Sequence, residues 1–168
     1  MRQIILLSDT HHTLDERFFP HFELADEIWH AGDIGNVEII DKLNKITQTR
    51  VVYGNIDNHT IRAEFPLNQS FKIEEINVFM THIGGKPYSY TKRIANFLLE
   101  TKPDLFICGH SHICKIQMDK KLNMLYMNPG AAGINGFHKV RTLIRFSIEG
   151  ARIYDCEVIE LGNRVKSS

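Results

Sequence analysis

Short apolar runs that end in polar clusters recur along this chain, and this arrangement limits its fold more than any other feature. The runs are 4–7, 27–31, 51–53, 78–80, 105–108 and 124–127. They are rich in β-branched and aliphatic residues without strict alternation, which favours strands covered on both faces of a sheet. The first five lead into glycine, aspartate, asparagine or histidine. Because ligands bind at the carboxyl ends of strands in open α/β sheets, we expect these polar side chains to converge.

Helical patterns separate some of the runs, and the end of the chain reads differently. Positions 37–46 and 90–100 each place apolar residues on one stripe, and the second helix is expected to end at Lys102, before Pro103. Two hairpins follow, at Lys120–Lys121 and at Glu149–Gly150. We therefore predict an α/β fold with two packed, mixed sheets and helices outside them, as one domain over 1–161 with a frayed tail at 162–168.

Length and charge exclude several classes of protein. The 168 residues suit one domain, and 20 Lys plus Arg balance 20 Asp plus Glu without a long block of one sign. Composition therefore gives no support for a binder of membranes or of long nucleic acid. No apolar stretch has the length of a membrane span, no secretory leader is recognisable, and the three cysteines form no Cys-x-x-Cys pair. We expect reduced thiols and a cytoplasmic location.

The polar clusters carry the residue types of a metal site. Asp9 and His11 are two residues apart, so at the end of a strand they face the same side, and His110 and His112 repeat that spacing. Carboxylate, imidazole and amide oxygen together suit divalent transition metals. The candidate metal ligands are Asp9, His11, Asp33, Asn55, His82, His110 and His112.

The order of these motifs resembles that of the calcineurin-like metallophosphoesterases, and specifically their small, uncapped prokaryotic phosphodiesterase branch. The family signature Asp-x-His, Gly-Asp, Gly-Asn, His and Gly-His-x-His is complete between Asp9 and His112. Asn128-Pro129-Gly130 is similar to the segment that follows in that branch. The resemblance implies a four-layer αββα sandwich of two mixed β-sheets flanked by helices.

The resemblance also implies a dinuclear mechanism. One ion would take Asp9, His11, Asp33 and His112, and the other would take Asp33, Asn55, His82 and His110, so Asp33 would bridge two divalent ions. Mn²⁺ is favoured, with Zn²⁺, Fe²⁺ or Ni²⁺ as alternatives. The implied reaction is hydrolysis of a small phosphate ester, preferably a diester, by in-line attack of a metal-bridging hydroxide on phosphorus. Asp33 and Asn55 would thus serve catalysis as well as metal binding.

Two positions depart from the family pattern. Ile56 stands where large members carry a histidine thought to assist the leaving group, and His12 stands where the small branch usually has glycine. His12 is therefore a candidate to supply a proton or contact phosphate, and His138 is a second candidate in a predicted site loop.

Two further polar residues near the site have open roles. His30 closely precedes Gly32-Asp33, so it either supports the metal ligands from behind or is a buried histidine bonded to backbone, and we favour the second interpretation. Asp57 either orients Asn55 or His82, or caps the turn or helix that follows it.

Other functions fit parts of the pattern. A phosphomonoesterase has the same ligands. A protein-interaction scaffold related to the retromer subunit shares the fold but has an eroded ligand set. A nuclease for long DNA generally carries additional domains. Small relatives often form homodimers or homotetramers, so we expect a homo-oligomer.

Overall fold

A computed structural model describes residues 1–164 of the chain. Within these residues, five strands form a first mixed sheet. Three parallel strands, β1 (Arg2–Leu7), β2 (Glu27–His30) and β3 (Gln48–Val51), are extended on the β1 side by an antiparallel hairpin of β11 (Val140–Glu149) and β12 (Arg152–Asn163). The strand order is β12-β11-β1-β2-β3. The carboxyl ends of the three parallel strands therefore lie side by side.

A second mixed sheet repeats this plan. Its parallel strands are β5 (Ile76–Thr81), β8 (Leu105–Ile107) and β10 (Met124–Pro129), and antiparallel β4 (Asn68–Ile73) and β9 (Cys114–Asp119) flank them in the order β4-β5-β8-β10-β9. A small hairpin of β6 (Gly85–Lys86) and β7 (Ser89–Tyr90) follows β5.

Within residues 1–164, four short α-helices connect the strands. They are α1 (Phe19–Phe22), which follows a 3₁₀ turn, α2 (Val37–Asn44), α3 (His59–Glu64) and α4 (Lys92–Thr101). Asn36 and Asn58 cap the amino ends of α2 and α3 by accepting hydrogen bonds from Glu38 N and Ile61 N. None of the helices within residues 1–164 is long and apolar enough to cross a lipid bilayer.

In the described part of the chain, three apolar cores hold these elements together in four layers. Ile4 and Leu6 pack between the two sheets, whereas Ile5 and Leu7 of the same strand pack on the other face of the first sheet, under α1, α2 and α3. Ile94 of α4 packs on the outer face of the second sheet. Strands covered on both faces need continuous apolar runs, which is the pattern that the sequence shows. The predicted αββα sandwich of two mixed sheets is confirmed.

Two of the boundaries that differ from the sequence-based ones change the assignment of a segment. Strand β3 covers Gln48–Val51 rather than 51–53 because an edge strand tolerates polar, half-exposed residues that an apolar pattern overlooks. Strand β12 continues through Asn163, which pairs with Val140, so the start of the predicted tail at 162 belongs to the sheet. The remainder of that predicted tail, 165–168, lies outside the described residues.

Candidate metal centre

The polar clusters lie at the carboxyl ends of parallel strands, as the sequence predicts. Strands β1, β2 and β3 of the first sheet, and β5 and β8 of the second, each lead into one cluster. Six of the seven predicted ligands form two groups whose ligand atoms lie within 4.8 Å of one another. The first group is Asp9, His11 and His112, and the second is Asp33, His82 and His110. Asn55 lines a cavity together with His82, beside the second group.

In Asp9 and in Asp33, one carboxylate oxygen accepts hydrogen bonds from the protein and the other faces the centre. Asp9 Oδ2 accepts hydrogen bonds from Ser8 Oγ at 2.7 Å and from the backbone N–H of His110 at 3.1 Å. Asp33 Oδ1 accepts from the backbone N–H of Ile56 at 3.0 Å. These bonds fix the orientation of both carboxylates, so that Asp9 Oδ1 and Asp33 Oδ2 face the histidines.

His11 lies between the two groups. Its Nε2 is 3.6 Å from Asp9 Oδ1 and 3.3 Å from Asp33 Oδ2. His82 Nε2 is 3.2 Å from the same Asp33 oxygen. Asp33 Oδ2 is therefore shared by one histidine of each group, so this carboxylate could contact an ion held by either group.

The backbone sets the tautomer of His82. Its Nδ1 lies 2.7 Å from the carbonyl oxygen of Ala31, and since a carbonyl only accepts, Nδ1 carries the proton. In the neutral ring Nε2 is then a bare lone pair, directed at a carboxylate oxygen of Asp33. Two acceptors in contact repel each other, so this contact requires a proton or a metal ion between them.

A second histidine sets the tautomer of His112. His138 Nε2 lies 2.8 Å from the carbonyl oxygen of Gly133 and must donate to it, so the Nδ1 of neutral His138 accepts. His112 Nδ1 lies 3.2 Å from that atom and therefore donates. His112 Nε2 is then unprotonated in the neutral ring and faces Asp9 Oδ1 at 3.0 Å. This is the same unprotonated arrangement as in His82.

These contacts fit divalent metal ions. Within residues 1–164, the buried Nε2 atoms of His11 and His82 have no hydrogen-bond partner although carboxylates lie nearby. Buried polar atoms are normally satisfied, and exceptions mark functional positions. Imidazole nitrogen and carboxylate oxygen are ligands that Mn, Fe and Zn accept. A positive ion between each nitrogen–oxygen pair would satisfy both atoms.

The charges of the metal-free centre agree with this fit. The carboxylates of Asp33 and Asp9 raise the pKa of His11 to about 9. Burial alone raises the pKa of a carboxyl group, but His11 and its neighbouring histidines outweigh this effect and lower the pKa values of Asp9 and Asp33. The centre therefore attracts positive charge, and a metal ion replaces protons that the histidines hold without it.

The backbone is constrained where it presents the ligands. Five of the seven candidate ligands have a positive φ: Asp9 (54°), His11 (43°), Asp33 (55°), His110 (69°) and His112 (60°). Aspartate and histidine are among the few non-glycine residues that adopt this region, and such conformations concentrate at functional sites. The loops thus adopt less favourable backbone conformations, and these conformations direct the ligand side chains toward the centre.

Close approach of the loops explains two glycines of the motifs. A Cβ atom at Gly54 would collide with the Asp33 carboxylate, and one at Gly109 would collide with Ser8 Oγ. Glycine at both positions allows the ligand-bearing loops to touch.

Asp57 and Asn128 hold the ligand loops together, and for Asp57 a positioning role toward Asn55 is one of the two roles that the sequence predicts. Asp57 accepts backbone hydrogen bonds from Ile34, Gly35 and Gly54, at 3.2, 2.8 and 2.7 Å, so it ties the Asp33 loop to the Asn55 loop. The cap of α3 is Asn58 instead.

Asn128 performs the same function for the His-x-His loop. Its amide nitrogen donates to Gly109 O at 2.9 Å and to Ser111 Oγ at 3.0 Å, and its oxygen accepts from Gly130 N at 3.0 Å. The Asn-Pro-Gly motif is therefore a clamp on the loop that carries His110 and His112.

The other predicted residues lie in distinct settings. His138 contacts His112 and Gly133 through its two ring nitrogens, so it has no free N–H for a leaving group. His12 is exposed at the end of the β1 loop, with its backbone N–H bonded to Ile34 O. His30 is fully buried and accepts from Gly32 N at 3.2 Å, as a buried structural histidine does.

Comparison with known proteins identifies the family. A model of the calcineurin-like phosphoesterase superfamily domain matches residues 1–151. The chain belongs to this superfamily. A probable metallophosphoesterase of Methanothermobacter thermautotrophicus is 28% identical over 162 residues, which covers 94% of this chain and 91% of that protein. The family is one of phosphoesterases that use divalent metal ions, and the two histidine–aspartate groups are where this member can hold them.

Solved structures share the calcineurin-like fold at low identity. Vps29 of Entamoeba histolytica in complex with Zn²⁺ has a TM-score of 0.74 and 17% identity, covering 94% of this chain and 98% of that one. An archaeal phosphodiesterase has a TM-score of 0.69 and 19% identity, covering 95% and 99%. At this identity the likeness concerns the fold.

Proposed function

We propose that this chain is a phosphodiesterase that depends on two divalent transition-metal ions, with Mn²⁺ favoured. The observation that carries the proposal is the direction of the Nε2 atoms of His82 and His112, which carry no proton in the neutral rings and each face a carboxylate oxygen about 3 Å away. One ion would be held by Asp9, His11, Asp33 and His112, and the other by Asp33, Asn55, His82 and His110.

Residues around the two ions would balance their charge and hold the ligand carboxylates in place. When bound, the ions lower the pKa of a nucleophilic water and neutralise phosphate oxygens. Asp33, which contacts a histidine of each group, offsets the repulsion between the two positive charges. Ser8 and the backbone N–H groups of His110 and Ile56 keep both carboxylates from rotating away.

Two cavities beside the centre support a diester over a monoester. One has a volume of about 320 Å³ and is lined in part by His110. The other, of about 200 Å³, is lined in part by Asn55 and His82. A phosphodiester carries two organic groups, one for each cavity, whereas a monoester carries one. The proposed substrate is accordingly a small phosphodiester.

The test is reconstitution of the purified chain with Mn²⁺, Zn²⁺, Fe²⁺ and Ni²⁺ in turn. We expect up to two ions per chain by elemental analysis, hydrolysis of bis(4-nitrophenyl) phosphate, and a slower reaction with 4-nitrophenyl phosphate. Chelation should abolish both reactions. Absence of bound metal together with absence of rescue by all four ions contradicts the proposal.

A protein-interaction scaffold is the second candidate, and the structural likeness to Vps29 favours it. The two functions separate in one preparation. A scaffold can bind metal without turnover, whereas the enzyme must show both. We also propose a cytoplasmic location, since Cys108, Cys114 and Cys156 are all free thiols.

A further inference from the structure

The larger of the two cavities is a cleft with matched walls. One wall is the segment 83–91, which includes the β6–β7 hairpin, and the other is the segment 109–115 after β8. Each wall contributes one isoleucine and one lysine: Ile83 and Lys86 from the first, Ile113 and Lys115 from the second. His110, a predicted metal ligand, lines the same cavity. We call it the lysine cleft.

The walls and floor of the lysine cleft are held in place by tyrosines. Tyr126, in the floor, donates its hydroxyl to Gly85 O at 3.0 Å. Tyr90 donates to Asp119 Oδ2 at 2.7 Å, and Tyr88 accepts from Lys120 N at 3.1 Å, so the hairpin is fastened to the β9–β10 turn. A cavity with anchored walls binds a ligand without first having to order its own loops.

The lining of the cleft combines apolar surface with positive charge. Ile113 is 63% exposed and Ile83 39% exposed, although isoleucine normally avoids water. Among the described residues no carboxylate lines the cleft, and neither lysine has a salt-bridge partner. In a chain of balanced charge, two unpaired lysines next to exposed isoleucines favour a ligand that is both apolar and anionic.

We infer that the lysine cleft binds one arm of the phosphodiester, and that this arm carries a flat ring and a second phosphate, as a nucleotide does. The ring contacts the isoleucines and the second phosphate pairs with Lys86 and Lys115, while the scissile phosphate lies at the metal centre beside His110. The inference rests on the proposed function and specifies its substrate class. The volume of about 320 Å³ is at the lower end of ligand pockets, which suits one such arm rather than a polymer.

The experiment compares two substrates with the same reacting bond and the same leaving group. Thymidine 5′-(4-nitrophenyl phosphate) and its 3′-phosphorylated form differ only in the second phosphate. With the Mn²⁺-loaded protein we expect kcat/KM to be about fivefold higher for the 3′-phosphorylated form, the size of effect that two partly exposed charge pairs give. The double variant Lys86→Gln, Lys115→Gln should lose this preference, and Lys45→Gln, on the exposed end of α2 in another layer, should keep it.

Equilibrium binding gives a readout that does not need turnover. Thymidine 3′,5′-bisphosphate should bind the Mn²⁺-loaded protein about fivefold more tightly than thymidine 5′-phosphate, and only while the lysines are present. Deoxyribose 3,5-bisphosphate, which lacks the ring, should bind about tenfold more weakly than the thymidine bisphosphate.

The outcomes separate the two proposals. Equal rates and equal affinities for the members of each pair in the wild type, or preferences that survive loss of both lysines, overturn the cleft assignment even if diesters are hydrolysed. Failure to hydrolyse either ester overturns the proposed function, and the binding series then still decides for or against the cleft.

Discussion

The Nδ1 atoms of His138 and His112 lie 3.2 Å apart, and the Gly133 carbonyl on the far side of His138 fixes the direction of the hydrogen bond between them. His138 is therefore the acceptor and His112 the donor. In the neutral ring this leaves a lone pair on His112 Nε2, on the opposite side of the ring, where a metal ion would be held. Such outer partners commonly set the orientation and basicity of a metal-ligating histidine.

Replacement of His138 should weaken one metal site selectively. His138→Ala removes the acceptor for His112 Nδ1, so affinity for one of the two ions should fall by about 10–100-fold. His138→Gln offers both an acceptor and a donor and should restore much of that affinity. Metal titration and the absorption spectrum of the Co²⁺-substituted protein measure the effect. If both variants bind metal as the wild type does, His138 does not position His112.

Asp33→Asn should damage the centre far more than His12→Ala. Asn removes a negative charge that contacts His11 and His82, so at least one ion should be lost. Turnover should fall by more than about 100-fold, which is the upper end of the losses when a residue that only supports a metal ligand is replaced. His12 is exposed and should leave metal content unchanged. Metal analysis and rates on both variants check this. Similar losses in the two variants would show that Asp33 does not bridge the ions.

His30 should make stability depend on pH between about 4 and 6.5. Burial lowers the pKa of His30 to about 4, since its Nδ1 accepts from Gly32 N and its Nε2 donates to Thr10, which leaves no acceptor for a second proton. Because the unfolded state binds this proton first, stability is present above pH 6.5 and is lost as pH falls toward 4. The full contribution is about 3 kcal/mol.

Nitrogen NMR of the metal-free protein tests this directly. His30 should remain in the neutral Nε2–H tautomer down to about pH 5, and urea unfolding should show a falling free energy of unfolding over the same range. Protonation of His30 near pH 6.5, the ordinary value for a histidine, would refute the assignment.

Rates should favour diesters with acidic leaving groups. Ile56, 40% exposed in the Asn55 loop, cannot donate a proton, and His138 has no free N–H. A nitrophenolate leaves without protonation, whereas an alkoxide gains about 10²–10⁴-fold from a general acid. A series of esters with graded leaving-group pKa values measures this in the wild type, in His12→Ala and in Ile56→His. A flat series in the wild type, with chemistry rate-limiting, would mean that an effective acid is present.

Asp57→Ala should destabilise the fold through two ligand loops at once. Three backbone N–H groups lose a charged acceptor, which should lower the free energy of unfolding by about 3 kcal/mol. Asp57→Asn keeps one acceptor oxygen and should cost about half as much. Exposed Asp41→Ala in α2 is the matched control and should change stability by less than about 0.5 kcal/mol. Equal effects of all three substitutions in urea unfolding would contradict this role.

The sequence determined the layers and the composition of the centre. Runs such as 4–7 are apolar at every position, because β1 packs on both sides, and this requirement is readable without coordinates. Aspartate, asparagine and histidine immediately after predicted strands identified the metal-binding chemistry. This placement is also readable from the sequence, because it depends only on which residues are neighbours in the chain. The predicted position of edge strand β3 was wrong by several residues, because its half-exposed residues form no apolar pattern.

Only the tertiary structure decided how the ligand atoms are directed. The choice of which Asp9 oxygen faces the centre depends on the N–H of His110, 101 residues away, and the tautomer of His112 depends on His138, 26 residues away. The positive φ of Asp9 and His112 is likewise held by the surrounding loops rather than by local preference. Sequence patterns record what neighbouring residues require, whereas hydrogen-bond direction is set by groups that only folding brings together.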